Sequence, residues 1–99
     1  MNNLNACYFE GGSFLNEICE KLMKEKYDFV FARSRNKNSI SVRNKHPDID
    51  IGEVLKELGY GGGHHDAGGF YEPDFLKMKE KISIIEKHIV DELKRKKKK

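Results

Sequence analysis

The residues of this chain best suited to chemistry lie in one short segment, residues 61–70 (GGGHHDAGGF). The segment holds five glycines, two histidines and one aspartate, and it offers little side chain to bury. Glycine lets the backbone approach a ligand closely and adopt positive φ angles. Consecutive backbone N–H groups that point into one concavity bind anions, and a neighbouring histidine adds a donor that carries charge when protonated. The segment therefore predicts a phosphate-binding loop.

A flexible connector is the alternative interpretation, because glycine-rich segments are common in linkers. Linkers usually also contain serine, proline or charged residues. This segment instead follows a predicted helix directly and continues into an apolar stretch, residues 67–71 (AGGFY). The composition favours a structured loop.

The charge of the chain is concentrated at its end. Residues 94–99 (KRKKKK) hold six of the 19 basic residues, so residues 1–93 hold 13 basic and 16 acidic residues. An anion site in residues 1–93 must therefore be local. The length of 99 residues predicts one domain, residues 1–93, followed by a basic tail. The tail is expected either to contact phosphates of nucleic acid or to be a solvated helix end.

Neither a membrane segment nor a secretory signal is apparent in the sequence. The apolar runs are too short to span a bilayer, and the first residues lack a basic segment followed by an apolar one. Cys7 and Cys19 match no zinc or redox motif. These features predict a cytoplasmic protein in a reducing compartment, with no membrane partner.

Apolar periodicity predicts the elements that would position the glycine loop. The expected fold class is α/β, with a small mixed sheet of about four strands packed with three helices in the order β-α-β-β-α-β-α. The last helix is expected to bury an apolar stripe, with dimerisation through the same stripe as the alternative. The stripe consists of Phe75, Met78, Ile82, Ile85, Ile89 and Leu93. The elements are a strand near residues 6–9, a helix over residues 13–26 capped by Ser13, strands over residues 27–32 and 39–44, a helix from Asp50 that ends at Gly59, a strand over residues 67–71, and a helix from Asp74.

The strands over residues 27–32 and 39–44 predict a hairpin whose register decides the position of Arg43. If Ser34 opposes Ser39, Phe31 faces Val42 and these apolar side chains share one face of the sheet. Arg43 and Ser41 then lie on the other face. The opposite register would reverse the assignment.

Three motifs occur in a specific order: Ser41-Val42-Arg43 on a strand, a short helix that begins at Asp50, and Gly61-Gly62-Gly63-His64 followed by residues 67–70 (AGGF). In order and spacing they resemble the C-terminal substrate-binding domain of DHH-family phosphoesterases, which include RecJ-type exonucleases, nanoRNases and cyclic dinucleotide phosphodiesterases. The resemblance covers roughly residues 7–92. One departure is that Gly68 stands where alanine is more usual.

The resemblance implies a site for substrate phosphate. Gly61, Gly62 and Gly63 would offer backbone N–H groups, His64 would donate from its ring, and Arg43 would hold a phosphate bidentately. The alternatives are that Arg43 is an ordinary exposed strand residue and that His64 only closes the loop through a backbone hydrogen bond. Further candidates for phosphate contacts are Ser41, Arg33 and Arg35. The expected ligand is a nucleotide or short oligonucleotide.

Family members bind two metal ions in an N-terminal domain that carries an Asp-His-His motif. No such motif occurs in these 99 residues, since residues 64–66 (HHD) have another order and belong to the glycine loop. The resemblance therefore implies no catalytic residue, metal site or cofactor in this chain. Manganese or magnesium is expected only in a separate DHH catalytic domain, which is a candidate partner.

Three other interpretations remain open. Residues 46–50 (HPDID) and 64–66 could meet at a metal site. Residues 59–62 (GYGG) match the GxxG loop of KH domains, which would make the chain a stand-alone RNA-binding module. The chain could also be a non-catalytic partner of a separate phosphoesterase.

Overall fold

Five strands form one mixed sheet, with one helix on one face and two helices on the other. The structure, a computed structural model, describes residues 4–12 and 15–97. The elements are β1 (Ala6–Gly11), α1 (Leu15–Met23), β2 (Phe29–Ser34), β3 (Ser39–Asn44), α2 (Ile51–Glu57), β4 (Gly61–Gly63), β5 (Ala67–Tyr71) and α3 (Phe75–Lys97). Ser13, the predicted cap of the first helix, lies outside the described residues. No helix of the described part is long and apolar enough to cross a membrane.

The strand order in the sheet is β1-β2-β3-β5-β4. β1 and β2 are parallel and joined by α1, whereas β2–β3, β3–β5 and β5–β4 are antiparallel pairs. The α/β class, the mixed sheet and the three helices agree with the prediction. The sheet has one strand more than predicted.

The additional strand is β4, because Gly61–Gly63 pairs with β5 instead of forming an open loop. Sequence periodicity cannot predict such a strand, since three glycines have no alternation of apolar and polar side chains. Backbone hydrogen bonds and the packing of α2 hold it in place. The glycine segment is thus a β-hairpin, called here the glycine hairpin, that consists of β4, residues 64–66 and β5.

β2 is buried on both faces, which is consistent with its nearly continuous apolar sequence. Phe29 and Phe31 pack into the larger hydrophobic cluster with residues of α2 and α3, and Val30 and Ala32 pack into a smaller cluster with residues of α1. Phe31 pairs with Val42 across the β2–β3 hairpin. The predicted hairpin is therefore present, in the register that pairs Phe31 with Val42.

α2 packs against the backbone of the glycine hairpin. Asp50 caps the helix as predicted, because its Oδ1 accepts from the amide of Glu53 at 3.0 Å. The helix ends before Gly59, whose φ of +74° is the left-handed conformation that glycine favours after a helix. At the other end of α2, a Cβ on Gly52 would lie 2.5 Å from the carbonyl oxygen of Gly63, so only glycine fits there.

Polar contacts at its first turn fix the start of α3. Asp74 Oδ1 accepts from the amide of Lys77 at 3.1 Å, and Glu72 Oε2 accepts from the amide of Asp74 at 3.1 Å. Glu72 is also 2.7 Å from Nζ of Lys81. The Lys81 hydrogen bond, followed by the Asp74 amide, lowers the pKa of Glu72 below its ordinary value.

Most of the predicted buried stripe of α3 is confirmed, with Met78, Ile85 and Ile89 in the larger cluster. Phe75 is different, because 51% of it is exposed. A cavity separates the first turns of α3 from the sheet at this point, and the ring is contacted by the cations of Arg33 and Lys79, 5.7 and 5.4 Å from its centroid, instead of by core residues. α3 continues to Lys97, and most of the predicted basic tail is therefore helical.

We expect Gly52→Ala to lower the free energy of unfolding by about 1–3 kcal/mol, because the new methyl group overlaps the Gly63 carbonyl. Without that contact, alanine in a helix would be more favourable than glycine by about 1 kcal/mol. Urea denaturation measures the difference. Gly62→Ala is the matched control, since a Cβ there meets no heavy atom within 4 Å. Equal losses in the two variants would contradict the close approach of α2.

We expect Glu72→Gln to destabilise the protein at neutral pH and to have a diminishing effect in acid. A carboxylate whose pKa is lowered by folding stabilises the native state above its unfolded pKa, and the contribution is lost as the pH falls through the folded pKa. The difference in stability should therefore be complete above about pH 5 and shrink below the ordinary glutamate value near 4.3. Denaturation curves from neutral to acidic pH measure it, with Glu80→Gln at an exposed position as control. A loss independent of pH would argue against the ion pair.

Candidate functional site

On the α1 side of β3, β5 and β4, small residues lie between two large ones, Arg43 and Tyr71. Ser41 pairs with Gly69, and Gly69 pairs with Gly62, so these three residues form a row across the three strands. α1 packs over β2 and the adjoining β3, and Gly62 has open space above it. The row, together with Ala67, is called here the glycine platform. A flat ligand could approach its backbone closely.

Arg43 borders this platform on the side of α1. It pairs with Ala67, and its half-buried side chain directs Nη2 to within 3.4 Å of Oδ1 of Asn16 on α1. The buried Cys19 thiol is the other neighbour: burial raises its pKa, and the Arg43 guanidinium partly opposes that effect. Arg43 therefore lies on the predicted face, beside α1.

His64 lies on the other side of β5 from Arg43, at the same level of the sheet. Its amide donates to the carbonyl of Ala67 at 2.7 Å, and Ala67 is also the partner of Arg43. Two strand spacings separate the backbones of His64 and Arg43, about 10 Å. The His64 side chain is exposed. A ligand that bridges the two side chains must lie across β5.

The turn of the glycine hairpin presents amides that the hairpin itself does not use. No backbone carbonyl of the described residues accepts from the N–H of His65 or Asp66. Both residues are exposed. Two successive free amides in a turn are typical of anion-binding nests.

Asn44 joins this turn to β3, and sequence reasoning missed it. Its Nδ2 donates to the carbonyls of Ile49 and His65 at 2.6 and 3.0 Å, and its amide donates to the carbonyl of Asp66 at 2.9 Å. The signal that could have revealed it is the alternation of β3. Ile40, Val42 and Asn44 share the inward positions, and a polar residue in an inward position requires hydrogen-bond partners.

A cleft of about 350 Å³ lies between α1 and the hairpin turn. It brings Arg43 together with Asp66, whereas Gly61–Gly63 and His64 do not line it. Arg43, Lys24 and Lys45 contribute three positive charges to its lining against two negative charges from Glu20 and Asp66. The cleft is therefore locally positive, although the surrounding residues 1–93 are acidic overall.

The N-terminus of α2 is not available to an anion, because protein carbonyls occupy it. The amides of Ile51 and Gly52 donate to the carbonyls of His65 and His64 at 3.1 and 3.0 Å. Asp50 accepts the next free amide. Any anion site of the glycine hairpin must use its turn or its α1 face.

Arg33 and Arg35 lie apart from Arg43. Arg33 shares the face of its partner Ile40, whose side chain is buried with α2 and α3. Both arginines lie near Glu10, with Arg33 Nη1 at 3.6 Å and Arg35 Nε at 3.9 Å from its carboxylate. The structure thus brings Arg43 and Ser41 close to the glycine hairpin. It places Arg33 and Arg35 away from them.

Two of the residues proposed for a metal site, His46 and Asp50, have other roles. His46 Nδ1 accepts from the amide of Asp48 at 3.2 Å, and Asp50 caps α2. Among the described residues, the group with metal-ligand atoms close together is instead Glu57, His88 and Glu92, within 4.8 Å of one another. A hydrogen bond of 3.0 Å between His88 Nε2 and Glu57 Oε2 accounts for that arrangement.

The segment that resembles a KH-type GxxG loop has a different setting. Residues 59–62 include the end of the α2–β4 connection and the first two residues of β4, whereas the KH loop joins two helices. The resemblance to KH domains is therefore confined to the spacing of the glycines.

No protein-family model matches the chain, and no curated protein matches it. A solved structure with a similar fold is that of an uncharacterized protein from Helicobacter pylori G27, at a TM-score of 0.51 and 22% sequence identity. The match covers 80% of this chain and 24% of that protein, so the chain spans about a quarter of the protein it resembles. At this identity the likeness shows the fold alone.

Proposed function

We propose that this chain binds phosphate groups of a nucleotide or short oligonucleotide in the cleft between α1 and the glycine hairpin. The observation that carries the proposal is that Arg43 and Asp66 of the hairpin turn line one positive cleft beside the open Gly62 of the glycine platform. A guanidinium and free amides are the donors that phosphate oxygens need. The platform leaves room for the rest of the ligand.

In the proposed complex, Arg43 holds one phosphate and the amides of His65 and Asp66 approach the same group. His64 donates to a second phosphate or to a sugar hydroxyl across β5. Gly61, Gly62 and Gly63 let the ligand backbone lie close to the strand. Each charged hydrogen bond contributes about 1.5–3 kcal/mol, against an association cost of about 4–15 kcal/mol. Affinity for a dinucleotide should therefore be micromolar to millimolar.

The resemblance to DHH-family phosphoesterases supports the same ligand. In that family the GGGH segment and the strand arginine bind substrate opposite the metal ions. We infer that this chain corresponds to the substrate-binding part and that a DHH catalytic domain, with manganese or magnesium, is its partner. The match to about a quarter of a longer protein is compatible with such an arrangement.

Arg43→Ala should weaken binding of the dinucleotide pApA by about ten- to a hundredfold, the loss of charged hydrogen bonds. Isothermal titration or an NMR titration of the amides measures the dissociation constant. Arg35→Ala is the matched control, since this arginine is exposed and lies near Glu10. Circular dichroism checks that both variants are folded. Equal affinities of the two variants, or no binding by the wild type, would contradict the proposal.

The wild-type chain should not hydrolyse pApA in the presence of manganese, because the catalytic metals are proposed to belong to another domain. Product formation is followed by chromatography with highly purified protein. Metal-dependent turnover that co-purifies with the chain and is lost in Arg43→Ala would overturn the assignment of catalysis to a partner.

A second candidate, a stand-alone RNA-binding module, is favoured by the exposed Lys94, Arg95 and Lys96 at the end of α3. Their charges would bind the RNA backbone with strong dependence on salt. Removal of residues 94–99 distinguishes the two functions. Under the first proposal, the truncated chain keeps its affinity for pApA. RNA binding that is lost on truncation and survives Arg43→Ala would favour the second.

A further inference from the structure

Tyr71, the last residue of β5, presents an exposed ring on the same face of the sheet as Arg43. Strand alternation gives this direction, because the neighbouring Phe70 is buried with its partner Ile40 in the larger cluster on the α3 side. Tyr71 pairs with Ser39, whose side chain is small, and 63% of the tyrosine is exposed. The ring is therefore open to a ligand on the α1 side.

The protein itself makes no use of this ring. In the part of the chain that the structure describes, no second aromatic ring stacks on Tyr71 and no cation lies over it. A single exposed aromatic residue is common on protein surfaces and does not by itself indicate a site. What distinguishes Tyr71 is its position relative to the proposed phosphate cleft.

The strand that leads from the hairpin turn to Tyr71 carries no large side chain on the α1 side. Ala67, Gly69 and Tyr71 follow one another on that side of β5, and the first two have a single methyl group between them. Four residues separate Ala67 from Tyr71, which is about 13 Å at the usual rise of a strand. The phosphate and the base of one nucleotide are closer together than this. A chain of two nucleotides laid along β5 reaches from the turn to the ring.

The two ends of this path suit different parts of a nucleotide. At the turn, Arg43, Lys24 and Lys45 supply the positive charge that a phosphate requires. At the other end, Tyr71 supplies a flat aromatic surface. Bases of single-stranded nucleic acid stack on such rings with little dependence on sequence, because every base has a π face. Inorganic phosphate or a sugar phosphate would use only the first end.

We propose that Tyr71 stacks on the base of the second nucleotide when a dinucleotide binds with its first phosphate in the cleft between α1 and the glycine hairpin. This inference rests on the proposed function and adds a base-binding residue to it. Tyr71 thereby sets a preference for ligand length. Its ring contributes to the affinity for a dinucleotide and nothing to the affinity for a mononucleotide or for phosphate.

NMR titrations of the full chain with pApA, AMP and inorganic phosphate, up to millimolar concentrations, test the proposal. The dinucleotide should shift the amides of the hairpin turn and of residues 69–71, whereas AMP and phosphate should shift those of the turn alone. Tyr71→Ala should weaken pApA binding by about tenfold, as expected for the loss of one base–aromatic stack, and leave AMP and phosphate binding unchanged. Tyr71→Phe keeps the ring and should bind pApA as the wild type does.

Phe75→Ala is the matched control, because Phe75 is an aromatic residue that is 51% exposed and belongs to α3 on the opposite face. It should bind all three ligands with wild-type affinity. Circular dichroism checks that the variants are folded. Binding of pApA that depends on Arg43 and not on Tyr71 would overturn this inference and leave the proposed function standing. Absence of binding by the wild type would overturn both. Equal losses of pApA and AMP affinity in Tyr71→Ala would contradict the preference for length.

Discussion

The close approach of α2 to the glycine hairpin is the constraint on which the site depends. Gly52 has no side chain, so the first turn of the helix can touch the carbonyl of Gly63. The amides of Ile51 and Gly52 then donate to the carbonyls of the hairpin turn. These hydrogen bonds satisfy the first amides of α2 and fix the orientation of the turn. The amides of His65 and Asp66 therefore point away from α2. The glycines at this contact therefore allow the helix and the hairpin to pack closely. The exposed backbone of the hairpin is a consequence of that packing.

Two faces of one sheet present different chemistry, because strand alternation separates their side chains. Ile40 and Val42 point toward α2 and α3, whereas Ser41 and Arg43 point toward α1. The α1 side offers positive charge and bare backbone, which suits phosphate. The α3 side has an apolar cavity whose lining includes the exposed rings of Tyr8 and Phe75.

Several features were predictable because they depend on local patterns. The β2–β3 register followed from the apolar alternation around Phe31 and Val42, and the start of α2 followed from the capping residue Asp50. β4 was not predictable, because three glycines carry no pattern. The exposure of Phe75 could not be predicted either. Helical periodicity places every apolar residue on one side of α3 in the core, and it does not show where along the helix the core ends.

The sequence by itself determined the α/β class, linked the face of Arg43 to the register of one hairpin, and indicated the glycine segment as the candidate site. Only the tertiary structure decided which groups share a cleft: the hairpin turn is beside Arg43, while Arg33 and Arg35 are near Glu10. It also decided that Asn44 ties the turn to β3. The physical reason is that periodicity reports the direction of a side chain relative to its own element. Distances between elements depend on how closely their backbones can pack, and a residue such as Gly52 controls that.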